Sequence, residues 1–303
     1  MRARRSILSV PATERRFHAK AAESAADMVI LDLEDSVAPA RKEDARGLVL
    51  EALRGHSYEG KLRAVRINGL DTAWWQDDLG QVVPELGDRL DVVVVPKVES
   101  AGAVEAVAGA LDELGSSAGL DLQIESARGM EAVSEIAAAS RRVQALHFGP
   151  GDFGADLRMP GLSIGAAVED YPGDIWHPFL ARILVAARAN GLLAVDGPYA
   201  NVRDLDGLRR SARRSALLGY DGKWALNPAQ ADVLNEVYAP AQEEFDKASA
   251  ILSAYERSTE AGQGAARLGA EMIDEATRKM ALVTVERGRA AGMTAGTWEP
   301  GID

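Results

Sequence analysis

DVVVVPKVES, residues 91–100, sets four consecutive valines between an aspartate and a proline. A strand with one solvated face alternates apolar and polar residues. An unbroken apolar run reads instead as a strand covered on both faces, as in a parallel sheet or a barrel wall. Working outward from Asp91–Pro96, further strands are expected at Ser6–Val10, Met28–Leu33, Leu62–Ile67, Leu120–Ile124, Gln144–Phe148, Leu192–Val195 and Lys223–Leu226. Between them lie helical patterns rich in Ala, Leu, Glu and Arg, such as Thr13–Ser24, Ala101–Leu114 and His177–Asn190. Thr13 is the expected N-cap of the first, before acidic Glu14. Eight βα units in this length suit an α/β fold of the closed (β/α)8, or TIM-barrel, type better than an open doubly wound sheet. The barrel is expected over residues 1–240 and a small C-terminal helical extension over 241–303. A helix is expected at Ala241–Tyr255, a Gly-containing hinge between the barrel and a small helical appendage at Ser258–Gly269, and a final helix at Glu271–Ala291.

The chain has 303 residues, and 34 Lys+Arg against 46 Asp+Glu leave a net charge of −12. That balance argues against nucleic acid or an anionic membrane as the main partner. With no cysteine, thiolate metal sites, iron–sulfur clusters, disulfides and Cys nucleophiles are excluded. The opening MRARRSILSVP has too short an apolar run for a signal-peptide core. Nothing approaches the roughly 20 apolar residues of a membrane helix. A cytoplasmic enzyme is the expectation.

Active sites of such barrels lie at the C-terminal ends of the strands, so the residues that follow each apolar run carry the chemistry. They are Asp32, Glu34 and Asp35 after strand two, Arg66 and Asn68 after strand three, and Lys97 and Glu99 after strand four. Glu125 and Ser126 follow strand five, Asp152 strand six, Asp196 strand seven and Asn227 strand eight. Glu125 and Asp152 are the candidate metal pair. Two carboxylates without Cys or clustered His suit a hard cation such as Mg2+, which keeps waters and leaves positions for substrate. The plainer alternative is a pair of rim salt bridges. Arg66 is placed to hold a carboxylate or a developing enolate, or else to pair with Glu34 or Asp35. Asp32, Glu34 and Asp35 are read as a supporting shell that orients Lys97 or metal-bound waters.

Other motifs are weaker. Gly149-Pro-Gly-Asp-Phe-Gly154 spells G-x-G-x-x-G, but it follows the sixth strand and carries a proline and an acid, so the dinucleotide reading is rejected. There is no P-loop and no G-x-S-x-G elbow. The four histidines, His18, His56, His147 and His177, are not spaced as a zinc site. They read as structural or surface residues, with His177 the nearest to a ligand role. Arg2, Arg4, Arg5, Arg15, Arg16 and Lys20 concentrate positive charge in the first 20 residues. They suggest a site for the phosphates of a nucleotide-bearing cofactor, against the alternative of a solvated basic helix face.

Four segments together carry a resemblance: Ala26–Arg46 (ADMVILDLEDSVAPARKEDAR), Val65–Thr72 (VRINGLDT), Val94–Ser100 with Gln123–Met130 (VVPKVES and QIESARGM), and Asp196–Gln230 (DGPYANVRDLDGL to LGYDGKWALNPAQ). In this order and over nearly the whole chain they resemble the citrate lyase β-subunit-like (HpcH/HpaI aldolase) family, within it the malyl-CoA lyases. The resemblance implies a TIM barrel, Mg2+ (or Mn2+ in its place), a homotrimer or homohexamer, and reversible Claisen cleavage of 3-hydroxyacyl-CoA thioesters. The products would be an acyl-CoA and a small 2-oxo acid such as glyoxylate. It also leaves open citramalyl-CoA cleavage to pyruvate, and malyl-CoA thioesterase or malate synthase-like activity. By resemblance, the metal ligands fall on Glu125 and Asp152, the substrate arginine on Arg66, and a lysine near the CoA phosphates on Lys20. A proton-transfer aspartate, lent by a neighbouring subunit, falls on Asp274 in Met272-Ile-Asp274. Read without the family, Asp274 is a helix-face charge. The chain departs from the family pattern at Ala12, at Glu14 (where Arg15 or Arg16 could substitute for an expected arginine), at Leu226-Asn227 and in a shortened Pro160–Pro172 loop. These departures bear on the CoA contacts and the acyl-chain preference.

Overall fold

The computed structural model describes residues 2–161, 164–166, 171–262, 264–269 and 271–298. Eight parallel strands close a barrel: β1 (Ser6–Pro11), β2 (Met28–Asp32), β3 (Leu62–Arg66), β4 (Val92–Val95), β5 (Gly119–Ile124), β6 (Val143–Phe148), β7 (Leu193–Asp196) and β8 (Gly222–Ala225). Each pairs with the next, and β8 returns to β1, with Ile7 beside Trp224. All eight expected strands are present, each end within one residue of its expected position.

The wall is buried on both sides, which is why its strands read as apolar runs. Outward residues such as Val29, Leu31, Val93 and Val95 pack beneath the helices. Inward residues fill the barrel interior: Ile7, Met28, Ile30, Leu62, Ala64, Val92, Val94, Ala145, Val195 and Trp224. Side chains alternate along a strand, so the inward file continues upward with period two. On β2 it runs Met28, Ile30, Asp32; on β3 Leu62, Ala64, Arg66; on β5 Asp121, Gln123 and then Glu125 just beyond the strand end. Strand register thus delivers the polar groups to one rim.

Some expectations are corrected. Glu14, not Thr13, is the N-cap residue of the first helix (Arg15–Glu23), and it makes no side-chain cap bond. Asp196 does not join the rim. Its carboxylate lies 2.6 Å from Lys223 Nζ, both groups being buried and outward on their strands, because Asp196 follows the inward Val195. Asn68 donates 2.6 Å to buried Asp78, and Ser126 caps the helix Ala127–Glu131 by accepting from the Gly129 amide at 3.0 Å. Both are structural. The final helix starts at Glu275, since Glu271–Ile273 is a strand.

The chain forms two compact units, Arg4–Tyr238 and Ala239–Asp303 with Met1–Ala3. The second contains helices Gln242–Glu260 and Glu275–Ala290 and a two-stranded antiparallel hairpin, β9 (Ala266–Leu268) with β10 (Glu271–Ile273). Phe245, Ile251, Ile273 and Val285 form its own core. The Ser258–Gly269 stretch therefore lies inside this unit rather than at the border with the barrel, and its first three residues finish the helix Gln242–Glu260. No helix among the described residues is long and apolar enough to cross a membrane.

Candidate active site

At the C-terminal end of the barrel is a cavity of about 700 Å³ whose lining includes Lys20, Asp32, Asp35, Ser36, Arg66, Gln123, Glu125, Asp152, Trp224, Leu226 and Asn227. These residues come from six separate stretches of sequence.

Arg66 is the most constrained. Its Nε and Nη2 donate to the two oxygens of Asp32 at 2.7 and 2.8 Å, a bidentate fork that fixes the guanidinium plane. Nη1 donates to Gln123 Oε1 at 3.3 Å and lies 3.0 Å from Glu34 Oε2. That last approach is an ion pair rather than an aligned hydrogen bond, since Glu34 Oε2 has no hydrogen-bond partner. Of five N–H donors, three are committed to the protein, and two remain for a ligand. Burial by itself would disfavour the charged guanidinium, but the carboxylates of Asp32, Glu34 and Glu125 reverse this and hold it protonated. Asp32 is the complement. Burial opposes its ionisation, yet Arg66 and the bond from Ser36 keep it below the usual carboxylate range.

Glu125, 3% exposed, has the opposite balance. Burial first, and then the neighbouring charges of Glu34 and Asp152, push its pKa up to about 8 despite Arg66. Its oxygens accept from the Lys97 amide at 2.8 Å and from Gln123 Nε2 at 3.1 Å. Lys97 reaches that geometry in the left-handed region (φ 50°), uncommon for a residue with a side chain. Its ammonium is tied to Glu34 at 2.6 Å and Asp35 at 3.1 Å. Asp152 sits in the first turn of the helix Pro150–Asp156. That helix is pinned by Phe153, whose ring lies 5.3 Å from Phe148 and 4.7 Å from Phe179.

Two carboxylates facing one cavity, one of them buried and held short of counter-charge, fit a hard divalent cation. Among the described residues no group of three or more His, Asp or Glu is arranged to hold a metal. The Glu125–Asp152 pair suits an ion such as Mg2+ that retains waters and accepts substrate oxygens.

Gly149 makes room for Glu125. A Cβ there would fall 2.2 Å from Glu125 Oε2 and 2.5 Å from its Cβ. Gly149→Ala is expected to displace the carboxylate and weaken Mn2+ binding at least about tenfold, by analogy with the rate penalty of small misplacements. A Mn2+ titration by electron paramagnetic resonance on folded variant checks it. Unchanged affinity would remove Glu125 from the metal site.

Of the other residues singled out, Lys20, Asp35, Leu226 and Asn227 line the cavity, whereas Glu34 and Lys97 stand behind it. Arg15 and Arg16 are exposed and paired with Glu51 at 2.8 Å and Glu14 at 3.1 Å. The N-terminal basic cluster is largely dispersed: Arg4 is buried against Asp121 and Arg5 holds Asp27. His177 is exposed at the start of the helix His177–Ala189 and is absent from the lining, while His147 is fully buried. In the Pro160–Pro172 loop, residues 162–163 and 167–170 lie outside the described residues. Asp274 belongs to the second unit, where it is exposed and caps the helix Glu275–Ala290. It accepts from Thr277 N at 2.8 Å and Oγ1 at 2.9 Å, and these bonds lower its pKa. Gln123 and Trp224 escaped the sequence reading. The signal was available, because each lies two residues before a rim residue, Glu125 and Leu226, and so shares its inward face.

Residues 5–228 match the HpcH/HpaI aldolase/citrate lyase family. An L-malyl-CoA/beta-methylmalyl-CoA lyase of Cereibacter sphaeroides is 39% identical over 301 residues, 94% of this chain and 95% of that protein. A (3S)-malyl-CoA thioesterase of the same species is 35% identical over 270 residues, 89% of each chain. Among solved structures, CitE of Mycobacterium tuberculosis in complex with magnesium, acetoacetate and coenzyme A superposes with a TM-score of 0.73 at 31% identity. It covers 95% of this chain and 98% of its own.

Proposed function

The chain belongs to the HpcH/HpaI aldolase/citrate lyase family, and from that footing we propose that it is a Mg2+-dependent carbon–carbon lyase. It cleaves L-malyl-CoA, and β-methylmalyl-CoA with it, reversibly to acetyl-CoA or propionyl-CoA and glyoxylate. The observation that carries this reading is the meeting of the Glu125–Asp152 pair with a clamped, two-donor Arg66 in one cavity at the strand ends.

Glu125 and Asp152 would hold Mg2+, or Mn2+. When bound, the ion supplies Lewis acidity to the hydroxyl oxygen that becomes the aldehyde oxygen of the oxo acid. Cleavage releases the hydroxyl proton to solvent and breaks the bond between the carbinol carbon and the carbon next to the thioester. The electron pair passes into the thioester enolate. The free N–H groups of Arg66 face this developing charge, preset by Asp32 before the reaction begins. The enolate carbon then takes a proton, and in condensation acetyl-CoA gives one up. We assign that transfer to Asp274 of a neighbouring copy in a homotrimer or homohexamer, as the carboxylic acid in cleavage and as the carboxylate base in condensation. The C-terminal unit thus serves as a cap on the neighbour's site. Lys20, at the cavity edge, is the cation for the CoA phosphates, with Arg15 and Arg16 further out. Leu226 and Asn227 border the acyl group. The setting is cytoplasmic.

The test is glyoxylate release from L-malyl-CoA, trapped with phenylhydrazine, in Mg2+ and then in excess EDTA. Release abolished by EDTA is the expected result. No release from folded, oligomeric protein would overturn the reading. The thioesterase relative favours one further measurement, free CoA from acetyl-CoA plus glyoxylate. Stoichiometric CoA release would make condensation followed by hydrolysis the reaction instead.

A further inference from the structure

Beneath the site the barrel interior carries a buried polar chain that the reaction above does not use. Arg4 Nη1 donates to both oxygens of Asp121 at 2.7 Å, and Arg4 also donates to Gln144. His147 Nε2 lies 3.1 Å from Asp121 Oδ2, a close approach without the alignment of a hydrogen bond, and Trp224 Nε1 donates to His147 Nδ1 at 2.9 Å. Asp121 and His147 are 0% exposed and Trp224 4%. At its upper end, Trp224 lines the cavity and the Arg66 guanidinium carbon lies 5.4 Å from the centre of its ring.

We propose that Trp224 is the positioning residue for Arg66, its ring fixed by the Arg4–Asp121–His147 chain; the inference rests on the site reading given above. Aliphatic residues would fill a barrel interior at no desolvation penalty, whereas a buried Asp, His and Arg need paired geometry. The geometry here has a direction. Because Nδ1 of His147 accepts from the indole, Nε2 must carry the ring proton and faces Asp121, so one tautomer is selected. The indole has a single donor, and committing it to His147 prevents the ring from swinging about its side-chain torsions. The π face then stays against the guanidinium. Asp32 holds one edge of Arg66, Gln123 one end and Glu34 lies beside Nη1, while the guanidinium carbon sits over the face of the Trp224 ring. A cation held to an aromatic face away from bulk water is a strong contact of its kind.

The test uses oxalate, a two-carboxylate analogue of the oxo acid, with the full-length oligomer, and compares wild type, Trp224→Phe, His147→Leu and the double variant. His147→Asn stands in if the leucine variant does not fold. Oxalate affinity in Mg2+ and, separately, Mn2+ affinity without oxalate are measured, alongside kcat and KM. The expected result is an oxalate affinity and a kcat each reduced about tenfold in both single variants. Mn2+ affinity stays within about twofold of wild type, and the double variant is no worse than the poorer single one, as expected for residues acting in series. The inference is overturned if the single variants match wild type, if losses in the double variant multiply, or if Mn2+ affinity falls in parallel. Oxalate binding requires no turnover, so a wild-type protein inactive on malyl-CoA would remove the proposed reaction while this titration still judged Trp224.

Discussion

Glu125→Gln is expected to lower Mg2+-dependent turnover by at least about 10³-fold, the several kcal/mol of charge stabilisation that a lost divalent ion represents. The same variant should leave the metal-free barrel as stable as wild type or more so. The amide keeps an oxygen for the Lys97 N–H in the space beside Gly149 and loses the bond from Gln123, but it cannot ionise, whereas a carboxyl with its pKa raised to about 8 costs the folded chain stability above the ordinary carboxylate range. Loss of Mn2+ binding with an unchanged or raised Tm is the diagnostic pair. Turnover within tenfold of wild type, with normal metal affinity, would mean that the ion, if any, sits elsewhere. Asp152→Asn should weaken metal binding too. It is exposed at a helix start and contributes little to the barrel's own packing.

Asp274→Ala is expected to reduce turnover by about 10²–10⁴, the range for a positioned general acid–base, with metal and oxalate binding unaffected. Its one visible role within the chain is capping the helix Glu275–Ala290. A purely structural residue there would change stability slightly and kcat hardly at all. Asp274→Ser separates the two roles, since serine can cap but cannot transfer the proton at carboxylate pKa. It should restore Tm and not activity. The subunit assignment has its own readout. Arg66→Ala and Asp274→Ala proteins, each inactive, should regain activity when unfolded, mixed equally and refolded together. A site that pairs an Arg66-bearing barrel with an Asp274-bearing neighbour is intact, and statistical mixing makes about a quarter of sites so. Failure to recover activity in verified mixed oligomers would place the proton donor elsewhere.

The barrel was legible because both sides of its wall are dry. Burial on two faces turns a strand into an apolar run, and eight such runs separated by helical patterns leave little freedom of architecture. Glu125, Asp152, Arg66 and Asp32 stood out for a related reason: a charge attached to an apolar strand is costly unless it ends in a site. The same rule misfiled Asp196, because a strand end has two faces, and one residue of register decides between the rim and the layer beneath the helices. Asn68 and Ser126 were misfiled by proximity alone. Their polar atoms satisfy Asp78 and a helix start.

What the sequence determined by itself is therefore the class of fold, the order of its strands and the identity of the groups gathered at their ends, since all of these follow from local patterning. Only the tertiary structure decided which groups touch. Arg66 grips Asp32 across 34 positions and reaches Gln123 across 57. Trp224 finds His147 across 77, and Arg4 finds Asp121 across 117. No local pattern records such partners, because each depends on barrel closure, which brings distant strands to the same height. In Gly149 the two levels meet. The glycine is plain in the sequence, but the reason for it, a carboxylate 24 residues earlier occupying the place of its missing Cβ, exists only once β5 and β6 lie side by side.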